Sequence, residues 1–180
     1  MFRQTNVRLQ PALLDRLEDN APEKQEGQPV ALNVTQLKQA VLRDLGWLLN
    51  TISLEAQQSL QSYPHVQSST LNYGVAALAG KRVSDVEWDE IEQAVRTAIL
   101  QFEPRILPQG LIVRCLSAST DLAHHNVIAL FIKGQLWANP YPRELLIRTE
   151  IDLETSQIRV EEMDRLPEFE LVHHESAFSK

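Results

Sequence analysis

The chain predicts an α+β fold, with N-terminal helices packed on one face of a mostly antiparallel C-terminal sheet. Three observations predict it. Apolar residues recur at helical spacing as far as Phe102. Beyond Pro108 and Gly110 the period shortens to two, the repeat of a strand. The helical and strand-rich stretches are also segregated along the chain rather than alternating, which is the order of an α+β domain. With 180 residues, 43% of them hydrophobic, one domain with a real core is expected. We place it over residues 9–163, after an extension at 1–8 and before an acidic tail at 164–180.

The elements follow in order. Leu13, Leu14 and Leu17 make one stripe on a short helix over 10–19, with Pro11 at an early helical position. Pro22, Gly27 and Pro29 mark a loop over 20–33. Leu37, Val41, Leu45, Leu48 and Leu49 define a helix from Thr35 to Asn50, with Trp47 on the flank of its stripe, at the core edge. Residues 51–83 read as a long irregular stretch, either functional or concealing short helical turns. Ser84 to Phe102 is the clearest helix. Ser84 and Glu87 form a capping-box pattern, and Asp85 suits the positive helix end. Its buried face is Trp88, Ile91, Val95, Ala98, Ile99 and Phe102.

The strand half begins with alternation over Leu111 to Leu116. Val127 to Ile132 is a continuous apolar run closed by Lys133-Gly134, the pattern of a central strand covered on both faces. Gly110 and Gly134 are both read as turns. Leu145, Ile147, Thr149 and Ile151 alternate with charged residues. The turn Glu154-Thr155-Ser156 then leads to Ile158 and Val160, so this pair is a hairpin.

Charge and cysteine usage narrow the function classes. The formal charge is −7 and the pI about 5.2, which argues against non-specific nucleic-acid binding. Residues 150–180 hold nine acids against Arg159, Arg165 and Lys180, nearly the whole excess. A single cysteine, Cys115, leaves no internal disulfide and fits a reducing compartment. No apolar run reaches signal-peptide or bilayer-spanning length, so a cytoplasmic protein without membrane insertion is expected.

The most distinctive local feature is Phe102-Glu103-Pro104-Arg105, where helix gives way to strand. Proline stops the helix and pushes the residue before it out of the α region. We expect a stiff, extended corner on which Glu103 and Arg105 share one small polar surface beside a buried Phe102. A catalytic acid is disfavoured there. No second carboxylate is placed beside Glu103 by the sequence, and a neighbouring arginine favours the charged form. The adjacent pairs His124-His125 and His173-His174 lack chelating spacing, as does His65, so no metal is expected. Cys115 lies amid Ile112, Val113 and Leu116 and reads as a core residue. No phosphate-binding glycine motif is present, and no cofactor is expected. Leu71-Asn72-Tyr73-Gly74 reads equally as a turn pinned by a core tyrosine and as an interface.

Three segments together carry a resemblance. They are Arg43-Asp44-Leu45-Gly46-Trp47-Leu48-Leu49-Asn50-Thr51, Ser69-Thr70-Leu71-Asn72-Tyr73-Gly74 and Phe102-Glu103-Pro104-Arg105-Ile106. In this order and spacing, and with Leu13-Leu14-Asp15-Arg16-Leu17 before them, the chain resembles the TssE family of type VI secretion baseplate subunits. That family is similar to the lysozyme-like wedge protein of contractile phage tail baseplates. The chain departs from the family pattern at Gly46, Ile52 and Thr70.

The resemblance implies a non-enzymatic structural subunit of the baseplate wedge that helps nucleate the contractile sheath. It implies the baseplate partners TssF, TssG and TssK and the sheath proteins TssB and TssC. It implies partner binding through Glu103, Pro104 and Arg105; Leu71, Asn72, Tyr73 and Gly74 join them as partner-binding candidates on the interface reading of that segment. The alternatives are a cell-wall-cleaving muramidase and a regulatory adaptor on the same fold.

Overall fold

A computed structural model describes residues 12, 15, 33–76, 88–116, 127–138, 140–155 and 157–165. The expected helix over 10–19 apart from Ala12 and Asp15, most of the 20–33 loop, the Ser84–Glu87 capping box, both histidine pairs and the tail past Arg165 lie outside the described residues.

Helix α1 spans Val34–Leu49, one residue earlier than Thr35. Its start is set by a reciprocal capping box. The Asn33 side chain accepts from Gln36 N at 2.7 Å, and Gln36 Oε1 accepts from Asn33 N at 3.0 Å. Leu37, Ala40, Val41, Leu45, Leu48 and Leu49 form its buried face. The long irregular stretch after it does conceal short helices: 3₁₀ turns at Leu54–Ala56 and Thr70–Asn72, and a four-residue α2 at Pro64–Gln67. Helix α3, described over Trp88–Phe102, buries Ile91, Val95, Ala98 and Ile99, with Asp89 and Glu90 in its first turn.

Four strands follow: β1 (Ile112–Leu116), β2 (Val127–Leu136), β3 (Arg143–Asp152) and β4 (Ile158–Glu162). They form one antiparallel sheet in the order β1-β2-β3-β4. The hairpin β3–β4 is the expected one, with Ile151 opposite Ile158 and Thr149 opposite Val160. β2 is central, and every residue from Ile128 to Ile132 is buried. Even-numbered β2 residues and odd-numbered β3 residues join α1 and α3 in one cluster. Its centre includes Leu45, Leu48, Ile99, Leu130, Ile132 and Ile147. Each such fully buried aliphatic side chain contributes roughly 1.5–3 kcal/mol of transfer free energy.

Gly134 corrects one expectation. It does not close β2 as a turn, because the strand continues to Leu136. A Cβ at Gly134 would lie 3.2 Å from Ile106 Cγ2, so the missing side chain lets the segment after α3 approach. That segment is stitched to the end of β2. Leu107 N donates to Gln135 O and Trp137 N donates to Arg105 O, both at 2.8 Å. Residues 105–107 thus act as a short forerunner of β1, interrupted by the turn at Gly110, where φ is +81°.

Candidate functional site

The helix-to-sheet corner is built from its backbone outward. Glu103 N makes the last helical bond of α3, to Ile99 O at 2.9 Å. Pro104 then stops the helix. The chain closes a turn, with Ile106 N donating to Glu103 O at 3.1 Å. The corner is therefore a turn rather than the expected extended stretch, since the fixed φ of proline suits the second position of a β-turn. The consequence for the side chains is a close pair. Glu103 Oε1 accepts from Arg105 N at 3.2 Å and from Arg105 Nε at 2.7 Å, and Oε2 accepts from Arg105 Nη2.

The pair is unevenly buried: the Arg105 side chain keeps 24% exposure. Glu103 is only 3% exposed. Phe102 is partly buried and meets Tyr73 edge-on, ring centroids 5.2 Å apart.

Asp44 of α1 completes the fork by accepting from Arg105 Nη2 at 2.5 Å. Its other oxygen accepts from Arg43 Nε and Nη2 at 2.9 and 2.8 Å. Arg43 Nη1 in turn donates to Asp15. An alternating chain results, Asp15–Arg43–Asp44–Arg105–Glu103. Burial works against the charge on Arg105, but the bonds and charges of Glu103 and then Asp44 outweigh it and raise its pKa. The tyrosine hydroxyl of Tyr73 donates to Asp44 O at 3.4 Å. Burial first, then the charges of Asp44 and Glu103, push the Tyr73 phenol up.

These residues surround a recess of about 420 Å³. Arg43, Asp44, Trp47 and Leu48 form the α1 wall; Tyr73, Phe102 and Pro104 supply apolar surface; Glu103, Arg105 and Ala12 complete it. Trp47 is 47% exposed, and the Arg43 guanidinium lies 4.8 Å from its ring centroid. The expected core-edge tryptophan is a recess wall.

The Leu71–Gly74 segment divides. Tyr73 alone reaches the recess. Leu71 is 71% exposed. Asn72 is buried and holds the loop together, accepting from Glu55 N at 2.9 Å and donating to Gln67 O at 3.0 Å. Gly74 has φ +124°, and a Cβ there would lie 2.3 Å from Thr51 O.

Arg43, Asp44, Trp47 and Asp15 were not singled out as site residues by sequence reasoning. The available signal was weak: a charged pair and a tryptophan placed off the apolar stripe of α1.

Elsewhere, Cys115 is partly buried at the sheet edge. Its N–H donates to Glu92 Oε1 at 2.7 Å. Burial, then the charges of Glu92 and Asp89, push its thiol up to about 12, so no thiolate forms near neutral pH. Among the described residues no group of three or more His, Cys, Asp and Glu side chains could hold a metal ion. Nor is any described helix long and apolar enough to cross a membrane.

Residues 35–141, more than half of the chain, match the family model described as "Baseplate wedge protein gp25". The match contains every recess residue except Ala12, and ends before β3. No curated protein and no solved structure gives a significant match.

Proposed function

The chain belongs to the baseplate wedge protein gp25 family, which includes the TssE subunits, and on that premise we propose that it serves a type VI secretion machine. A structural role in a contractile-tail baseplate, among other baseplate components, follows from membership. The finer reading is that the chain is a non-enzymatic wedge subunit. It docks on the wedge proteins TssF, TssG and TssK through the recess and helps TssB and TssC begin the sheath.

One observation carries the docking reading. Segments far apart in sequence, at Arg43–Leu48, Tyr73 and Phe102–Arg105, converge on one recess that exposes an aromatic ring beside a fixed charge network. Such a rigid, partly desolvated cluster of Trp, Tyr and Arg is the usual make-up of an interaction hot spot. A muramidase reading is less well supported. The fold does bring a second carboxylate, Asp44, near Glu103, but both give an oxygen to the same Arg105 nitrogen. Neither is left as a free acid facing a sugar-sized cleft.

Sheath initiation fits the β4 edge. Gln157 O and Met163 N bond toward β3. Strand alternation therefore turns the backbone groups of Val160 and Glu162 outward, where they have no partner among the described residues. Unpaired rungs of this kind template a further strand.

The test uses Trp47→Ala and Arg105→Ala in the full chain, scored for incorporation into baseplates and for sheath formation in cells. Trp47→Ala should keep the wild-type melting temperature and still assemble poorly. Folded variants that both build sheaths at wild-type frequency would overturn the docking reading.

A further inference from the structure

Arg43 is held from two sides by unlike means. Its Nε and Nη2 fork onto Asp44, the next residue on the same helix. One turn further along, Trp47 lies under its guanidinium. These two contacts come from α1 itself and orient the arginine without help from elsewhere. The remaining nitrogen, Nη1, goes to Asp15, 28 residues earlier in the chain. Ala12 lines the recess from the same part of the chain. The Arg43 and Asp15 side chains keep 34% and 19% exposure, so this ion pair stands at the mouth rather than in the core. An oriented guanidinium with one outward edge, seated over an indole, is built to take one carboxylate.

We infer that the recess is a receptor for a carboxylate-bearing chain segment, and that in the free protein Asp15 occupies the receptor position beside Arg43. The inference rests on the docking reading and adds regulation to it. An Asp or Glu of a wedge partner replaces Asp15 on Arg43 Nη1, and the chain's own acid holds the recess until then. Without Asp15 the network has two acids, Asp44 and Glu103, against Arg43 and Arg105. What Asp15 leaves behind is the Nη1 edge of Arg43, a donor that an incoming acid can take, whereas a basic partner group would meet Arg43 at the mouth.

Two measurements test this in the full chain. In Ala12→Cys, the rate of thiol labelling reports whether residue 12 is seated; Cys115 is a slow background because its thiol titrates only at about 12. Adding Asp15→Asn should raise the labelling rate about two- to fivefold, the scale of losing one partly exposed ion pair. Lys38→Gln, which breaks the separate Lys38–Glu162 pair, should not change it. In cells, Asp15→Asn should raise incorporation into baseplates. Labelling at the free-thiol rate with Asp15 intact overturns the inference. So does faster labelling without increased incorporation, which makes Asp15 a fixed part of the wall. If Trp47→Ala loses incorporation while Asp15→Asn leaves it unchanged, docking stands and the competition falls. If Trp47→Ala and Arg105→Ala both incorporate normally, it is docking that falls.

Discussion

Gly74 shows how one residue fixes a loop that carries part of the site. Its φ of +124° belongs to a region that side chains avoid, and its absent Cβ leaves room for the Thr51 carbonyl. Val75 N donates to Thr51 O at 2.9 Å and Ser53 N to Val75 O at 3.0 Å, so the two chain segments are clamped side by side. Gly74→Ala should cost at least about 1–3 kcal/mol from backbone strain, with the clash added. A denaturant titration should show a lowered midpoint, and a variant of wild-type stability would contradict this account. Tyr73 next to it faces the recess, while Asn72 before it is consumed in holding the loop. The sequence marked all four residues of Leu71–Gly74 as one unit. It did not show that they have three different jobs, because the partners Glu55, Gln67, Thr51 and Asp44 are brought to them only by folding.

At the scale of elements, side chains from the helices control the sheet's edges. Asn50, at the end of α1, donates to Ile158 O at 2.8 Å and accepts from Ile158 N at 2.9 Å, standing in for a neighbouring strand at the first residue of β4. Glu92 of α3 caps one group of the opposite edge, its Oε1 accepting from Cys115 N on β1. The exposed rungs of β4 therefore begin only at Val160. Asn50→Ala should lose about 1–3 kcal/mol, since two backbone groups lose their partner. It should also lengthen the open edge and increase self-association in light scattering. Unchanged stability and an unchanged monomer signal would remove Asn50 from this role. Helices α1 and α3, the hairpin and the central strand were legible because each follows from a local period. The true length of β2 was not, because Gly134 belongs to the strand for the sake of Ile106, a neighbour invisible to local pattern.

The whole molecule responds to acid through carboxylates placed by the fold. Asp15 is held below the usual carboxylate range by the hydrogen bond from Arg43, which outweighs its burial. Asp152, the last residue of β3, is lowered by the backbone N–H groups of Thr155 and Glu154. A carboxylate whose folded pKa is depressed stabilises fully above its unfolded value and loses that contribution as pH falls through the folded one. Thermal stability should therefore drop below about pH 4, and Asp15→Asn with Asp152→Asn should flatten that acid limb. An identical limb in the double variant would mean that other groups set it.

Sequence by itself determined the order of elements, the apolar faces, the antiparallel hairpin and the family, because periodicity and short motifs are local properties of the chain. It also marked Glu103, Pro104 and Arg105 as exceptional through the proline stop. Only the tertiary structure decided what they do locally. Packing α1 against the end of α3 buries Glu103, turns Arg105 back onto it, and brings in Asp44, Arg43 and Asp15 from elsewhere in the chain. A charge network is defined by distances of a few ångström, and no spacing along a chain encodes those until the helices have packed.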